Sequence, residues 1–319
     1  MELGFFAFNS SSGISMVEKS KSEWISNFDN SLWLLELLEN SNSFDYFLLP
    51  ISRWVGSGSK KVTGDAIESI ALSSALLAKS NKTKVFSTLH TFSHLPETIA
   101  HSSVFLNESF SCRFAINLVC GWKEDEIQYF NLKNWKYEER YDVAREWVAR
   151  YRVAEKKYGN LRNSNFKTQI INAAFSKEGR EFAENNVDNL FTTIPSNFDI
   201  NKKETKINNK YVAASLFFGK TMDEAIEKYE AVLKASDQEA ALDFANAIKK
   251  SDKLKGNMYL SNQPMVATGS GLPSIIVDEQ KLIALLKYLN INNCKGFGIN
   301  LTNYFDAEDI VAIAEKNFK

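Results

Sequence analysis

A few polar side chains that follow short apolar runs are the residues of this chain best suited to chemistry. His90 and His94 follow one such run, and imidazole transfers protons near neutral pH. Asn117 interrupts another run, where a ligand or an internal hydrogen bond must satisfy its amide. Arg53 and Trp54 follow a third run and precede two glycines. They could form one wall of a pocket, or they could belong to a surface loop that the indole anchors. These positions predict a pocket for a small polar ligand.

An arginine–tyrosine pair and a serine are candidates for holding a phosphate. Arg140 and Tyr141 open a predicted helix, and a guanidinium and a phenol both donate hydrogen bonds to phosphate oxygens. A solvated helix face is the alternative for this pair. Ser176 has the position of a helix N-cap before Lys177, where free N–H groups favour an anion. The motif GxGxxG is absent, so we do not expect a Rossmann domain.

Composition narrows the classes of partner and cofactor. The 38 basic and 39 acidic residues give a formal net charge of −1, which argues against nucleic acid or an anionic membrane as partner. Three cysteines form no CxxC pair, so a structural zinc is not expected. His90 and His94 have the HxxxH spacing but lack the Glu of HExxH, so no other metal site is expected. Without a signal-peptide pattern or an apolar stretch of about 20 residues, the sequence predicts a cytoplasmic protein. No nucleophile triad is evident, which favours an organic cofactor.

Short apolar runs alternate with helical patterns along almost the whole chain. Runs of this length, rich in β-branched and aromatic residues, are typical of buried parallel strands. The predicted strands are Leu3–Phe8, Phe44–Pro50, Thr83–Leu89, Arg113–Val119, Lys167–Ala174, Asn189–Ile194, Tyr211–Phe218 and Gly296–Leu301. Eight strands alternating with helices, one of them opening at Asp65, predict a (β/α)8 TIM barrel of the α/β class, as one domain over residues 1–319.

Two stretches interrupt this alternation. Residues 195–210 are polar and show no obvious helix between strands six and seven. Residues 236–273 carry one helix, Glu239–Lys250, and then an irregular segment, so they predict an insertion between strands seven and eight. Active sites of such barrels lie at the C-terminal ends of the strands, where the polar residues named above should meet.

The segment Phe114–Tyr141, FAINLVCGWKEDEIQYFNLKNWKYEERY, carries a specific resemblance. It resembles the N-[LIV]-V-[TC]-G-W-x-x-x-E block of the bacterial luciferase-like flavin monooxygenases, nearest the branch of pyrimidine and dimethylsulfone monooxygenases. The match extends through FDYFLLPISRW and VFSTLHTFSHLPETIA upstream and AAFSKEGREFAENNVDNLF downstream, covering roughly residues 44–192.

The resemblance implies FMN at the C-terminal mouth of the barrel and assigns roles to particular residues. The implied cofactor-binding residues are Ile51, Ser52, Asn117, Glu126, Arg140, Tyr141 and Ser176. Asn117 and Thr91 would border the place where oxygen meets reduced flavin, and with His94 they are the expected catalytic residues. Arg53, Trp54 and His90 are the expected substrate wall. Ser52 stands where pyrimidine monooxygenase has a lysine, which implies different electrostatics at the edge of the flavin ring.

The implied function is that of a two-component monooxygenase. Reduced FMN from a separate NAD(P)H-dependent flavin reductase, together with O2, would oxygenate a small sulfone, sulfonate or amide-like substrate. The resemblance also implies a homo-oligomer, either a dimer or a tetramer. Two alternatives stay open: a flavin-binding paralogue or partner subunit without monooxygenase activity, and a hydride-transferring enzyme of the deazaflavin F420, against which the NLVCGW block argues.

Overall fold

A closed barrel of eight parallel strands organises the computed structural model, which describes residues 1–132, 135–195, 205–252 and 263–318. The described strands are β1 (Glu2–Phe6), β2 (Asp45–Leu49), β3 (Lys84–His90), β4 (Phe114–Val119), β5 (Gln169–Ala173), β6 (Asn189–Thr193), β7 (Tyr211–Phe218), β8 (Ser274–Val277) and β9 (Gly296–Asn300). Strands β1 to β6 pair in order, β6 pairs with β7, and β9 joins β7 to β1. The predicted barrel class is therefore confirmed, and the eight predicted strands agree with the barrel strands to within two residues at each end.

Helices cover the outside of the barrel. They are α1 (Phe28–Glu39), α2 (Ser69–Leu77), α3 (Pro96–Ser109), α4 (Glu124–Tyr129), α5 (Arg140–Leu161), α6 (Lys177–Asn186), α7 (Met222–Ala235), α8 (Gln238–Asp252), α9 (Gln263–Gly269), α10 (Glu279–Ile291) and α11 (Ala307–Asn317). Among these described helices, none combines the length and the apolar character that crossing a bilayer requires.

Helix α2 begins later than the sequence predicts. Asp65 does not open the helix, because its carboxylate accepts hydrogen bonds from Ser10 and Ser11 of the loop after β1. Glu68 caps the helix instead, since its side chain accepts from the N–H groups of Ile70 and Ala71. Asp65 therefore connects two loops by hydrogen bonds, whereas Glu68 is the N-cap of the helix.

The predicted insertion lies between β7 and β9, the eighth strand of the barrel. Helix α8 corresponds to the predicted helix Glu239–Lys250, and α9 and β8 follow it. Strand β8 extends the pairing of β7 beyond the barrel and was not predicted. Most of the polar stretch 195–210 and much of the predicted irregular segment lie outside the described residues, which omit 196–204 and 253–262.

Aromatic rings fill the lower part of the barrel interior, which is the part farther from the C-terminal ends of the strands. Phe47, Phe86 and Tyr211 are fully buried, and their ring centroids lie 5.4–5.8 Å apart in edge-to-face pairs. Gly4 of β1 leaves room for this cluster, because a Cβ there would lie 2.4 Å from the Phe47 ring. Side chains alternate along each strand, so positions 88 and 90 of β3 point into the same interior as Phe86, one and two layers higher.

Candidate active site

The upper part of the barrel interior is a cavity of about 230 Å³ at the C-terminal ends of the strands. Its walls come from strand ends β3 to β6, from the loops after β1, β2, β4 and β5, and from α8 and residues 270–272. Nine of the predicted site residues line it together: Ile51, Ser52, Arg53, His90, Asn117, Glu126, Arg140, Tyr141 and Ser176. An apolar pocket with a few convergent polar groups is typical of a binding site for a small organic ligand.

One end of the cavity is built from the start of helix α6. The Ser176 hydroxyl caps this helix by accepting from the Gly179 N–H at 3.1 Å, and it lies 3.2 Å from the Tyr141 hydroxyl. The contact is close, because a Cβ on Gly179 would approach that Tyr141 hydroxyl to 2.5 Å. Burial raises the pKa of Tyr141, so its hydroxyl keeps the proton that it can donate.

Arg140 completes this end of the cavity. Its guanidinium carbon lies 3.7 Å from the ring centroid of Tyr137 and 4.4 Å from that of Tyr141, and Nη1 donates to the Tyr137 carbonyl. This stacking fixes the planar donor fork at the wall of the cavity. A guanidinium, a hydroxyl and the N-terminal end of a helix form a site for a phosphate or a similar anion.

Asn117 stands on the barrel wall with half of its amide unsatisfied. Its Nδ2 donates to the Thr88 hydroxyl at 3.1 Å, whereas its buried Oδ1 has no hydrogen-bond partner among the described residues. Thr88 and Asn117 are directly paired positions of β3 and β4, and both side chains line the cavity. Because an unsatisfied buried carbonyl costs about 1–3 kcal/mol, a donor from a ligand would stabilise this wall.

A glycine turn after β4 carries Glu126 to the cavity. Gly121 has a φ of +84°, which other residues rarely adopt, and a Cβ there would lie 2.8 Å from the Trp135 ring. Helix α4 follows this turn, and the Glu126 carboxylate accepts from the Trp54 N–H at 3.1 Å. It also lies 3.9 Å from Arg53 Nε, too far for a hydrogen bond.

His90 is neutral and presents an acceptor to the cavity wall. Burial lowers its pKa, an effect that outweighs the opposite influence of Glu126. Its Nε2 lies 3.2 Å from the Ser52 carbonyl, which only accepts, so the proton resides on Nε2. Nδ1 therefore carries a lone pair, has no partner among the described residues, and lies 3.9 Å from Glu126 Oε2. A ligand N–H or O–H between these two acceptors would satisfy both.

Three predicted site residues do not line this cavity. Thr91 follows β3 by one residue, so alternation turns it away from the barrel interior that receives Thr88 and His90. Thr91 and His94 border a separate crevice against α5, where Trp147 Nε1 donates to the His94 carbonyl. The roles predicted for Thr91 and His94 stay predictions.

The ring of Trp54 also lies outside the cavity. It packs on Phe130 at 5.0 Å and near His94 at 6.3 Å, so its contacts are with the outer loops. Only its backbone N–H takes part in the site, by holding Glu126. The substrate role predicted for this side chain stays a prediction.

Several lining residues were not predicted from the sequence. Thr88 could have been found from the strand register, because it shares the interior face with His90. The Cys120 thiol follows Asn117 in the NLVCGW block, and burial raises its pKa to about 12, so it is neutral. Phe244 and Ser270 come from the insertion, whose approach to the barrel no local pattern indicates.

Comparisons with known proteins agree with this architecture. The chain matches the family described as luciferase-like monooxygenase over residues 1–271. It is 23% identical over 270 residues to the pyrimidine monooxygenase RutA of Caulobacter segnis, covering 75% of this chain and 76% of that protein.

Solved structures share the fold over almost the full chain. Riboflavin lyase RcaE, solved with modified FMN and riboflavin, has a TM-score of 0.73 at 15% identity, covering 98% of this chain and 90% of that one. DmoA of Hyphomicrobium sulfonivorans has a TM-score of 0.67 at 15% identity, covering 99% and 87%. The resemblance carried by Phe114–Tyr141 is confirmed, and the chain belongs to the luciferase-like monooxygenase family of flavin-dependent oxidoreductases.

Proposed function

We propose that this chain is an FMN-dependent monooxygenase that uses reduced FMN and O2 to oxygenate a small organic substrate. The proposal rests on one observation: an anion site and an unsatisfied amide oxygen line the same cavity. Arg140, Tyr141 and Ser176 form the anion site, and Asn117 Oδ1 is the unsatisfied group. An organic phosphate with a polar ring system would occupy both.

The residues present fit FMN on chemical grounds. Arg140, Tyr141, Ser176 and the first turn of α6 would hold its phosphate. The flavin ring carries N–H groups on its polar edge, which suit the free acceptor of Asn117 and the acceptors of His90 and Glu126. Ile51 and the backbone of Ser52 would lie beside the ring system, as the family resemblance implies.

Bound reduced FMN would supply the two electrons with which one atom of O2 enters the substrate and the other becomes water. The protein's part is to bind, orient and exclude water. Phe6, Phe175 and Phe244 give the cavity an apolar lining, which limits unproductive reaction with solvent. Thr88 orients the Asn117 amide by accepting its Nδ2–H, so Oδ1 is held toward the cavity.

Two kinds of partner belong to this proposal. A separate NAD(P)H-dependent flavin reductase would deliver reduced FMN, and the absence of GxGxxG from the sequence agrees with a chain that does not itself bind a dinucleotide on a Rossmann domain. We also propose that the chain forms a homodimer or homotetramer, which light scattering at several concentrations would test.

Replacing Arg140 with glutamine tests the phosphate end of the cavity. Fluorescence titration should show FMN binding at least about tenfold more weakly, because a charge-assisted hydrogen bond contributes about 1.5–3 kcal/mol. Riboflavin, which lacks the phosphate, should bind the variant and the natural protein within about twofold. Arg145→Gln is the matched control, since Arg145 lies on the same helix with its side chain 50% exposed. Equal losses for FMN and riboflavin would contradict the assignment.

Replacing Asn117 with alanine tests the amide. FMN affinity should fall about fivefold, since one neutral hydrogen bond contributes about 1 kcal/mol. Asn172→Ala is the control, because Asn172 on the neighbouring β5 is buried and donates to the Leu118 carbonyl but does not line the cavity. If the two variants lost FMN affinity equally, Asn117 would have only a structural role.

Anaerobic titration with reduced FMN, followed by mixing with aerated buffer, tests the activity itself. Binding of reduced FMN and a time course of reoxidation that differs from that of free reduced FMN would support a monooxygenase. Tight binding of oxidised FMN alone, with reoxidation unchanged, would favour the flavin-binding protein without oxygenase activity.

A further inference from the structure

The Arg53 guanidinium is a buried cation that lacks a hydrogen-bonded anion. Its side chain is 10% exposed, and Nη1 has no partner in the described part of the chain. The carboxylate of Glu126 lies 3.9 Å from Nε, beyond hydrogen-bond distance. A buried guanidinium is ordinarily paired, so this wall of the cavity lacks an acceptor.

The surroundings hold Arg53 in place without supplying an acceptor to its Nη1. Its guanidinium carbon lies 5.9 Å from the Trp122 ring and 5.4 Å from the Phe244 ring, so aromatic faces flank it. The nearest carboxylate oxygen, Glu126 Oε1, is already the acceptor of the Trp54 N–H. A second buried cation, Lys123, donates to the Val55 carbonyl at 2.7 Å and lies 4.0 Å from Asp125, whose side chain is half exposed.

Arg53 and the phosphate end of the cavity lie far apart around the barrel. Arg53 follows β2, whereas Ser176 follows β5, three strands further in an eight-stranded ring. A ligand anion at Arg140 and Ser176 therefore does not supply the acceptor that Arg53 Nη1 lacks. The cavity has two separate arginine sites, of which the FMN phosphate would occupy one.

We propose that Arg53 binds an anionic headgroup of the substrate, a carboxylate or sulfonate, and so selects acidic substrates over neutral ones of the same shape. This inference rests on the proposed function, because it assigns the second arginine site to the molecule that shares the cavity with FMN. The planar donor fork of arginine matches the oxygens of such a headgroup, and the flanking Trp122 and Phe244 would contact its carbon chain.

The test is calorimetric binding of two probes to the FMN-loaded protein: 1-butanesulfonate and the neutral butyl methyl sulfone. We expect the sulfonate to bind at least about tenfold more tightly than the sulfone. Arg53→Gln should abolish that preference while leaving sulfone binding within about twofold, and Arg145→Gln should change neither. FMN affinity, measured first, should stay within about threefold in Arg53→Gln.

Each other outcome overturns a distinct part of the inference. No sulfonate binding, or equal affinity for both probes on the natural protein, overturns the preference for acidic substrates without any need for a variant. A loss of FMN affinity in Arg53→Gln as large as the loss of sulfonate affinity would assign this arginine to the flavin. Failure of the natural protein to bind FMN at all would instead contradict the proposed function.

Discussion

Phe47→Ala is expected to lower the free energy of unfolding by about 3–5 kcal/mol, the usual cost of removing a large buried ring. The ring is fully buried and makes edge-to-face contacts with Phe86 and Tyr211 at centroid distances of 5.4 and 5.8 Å. No neighbouring side chain can refill the space easily, because strands hydrogen-bonded on both edges hold the barrel wall. Urea unfolding followed by circular dichroism measures the change.

Phe105→Ala is the control for this variant, since Phe105 lies on α3 and is 51% exposed. Its unfolding midpoint should stay near that of the natural protein, because truncating an exposed ring removes little buried area. A similar shift for both variants would show that the barrel interior is less tightly packed than the ring contacts indicate.

Glu126→Ala is the second variant with a large expected effect, a loss of about 3–5 kcal/mol, because it leaves a buried cation without its nearest anion. Glu126 is 2% exposed, lies 3.9 Å from Arg53 Nε and accepts from the Trp54 N–H. Removing both charges in the double variant Glu126→Ala with Arg53→Met should recover much of the loss. Urea unfolding compares the natural protein, the two single variants Glu126→Ala and Arg53→Met, and the double variant.

Glu146→Ala is the matched control, since Glu146 is 72% exposed although it lies 3.5 Å from Arg150. Exposed ion pairs contribute about 0–1 kcal/mol, so little change is expected. If the double variant were as unstable as the sum of its single changes, the two charges would be energetically independent.

Most of the barrel could be predicted because buried parallel strands are short apolar runs, a pattern that needs no knowledge of distant contacts. Strand β8 escaped prediction because it has only four residues and pairs with the far end of β7. The start of α2 was misplaced because Asp65 and Glu68 are both plausible caps. Only the position of the loop after β1 decides that Asp65 binds Ser10 and Ser11.

The candidate site was predictable in part, because the barrel brings residues after successive strands to one end. Asn117, Arg53 and His90 were found in this way. Thr88, and not Thr91, faces the cavity. This could not be predicted without the side-chain alternation of β3, which depends on where the strand ends. Phe244 belongs to a helix far along the chain, and its contact with Arg53 is purely tertiary.

The aromatic cluster beneath the cavity has a kinetic consequence. Phe47, Phe86 and Tyr211 close the barrel interior below the site. A ligand can therefore enter and leave the cavity only at the C-terminal ends of the strands. Two ligands of this chamber would therefore share one entrance. On the proposed function, whichever of flavin and substrate were seated deeper would enter first and leave last, and an excess of the outer molecule would trap the inner one.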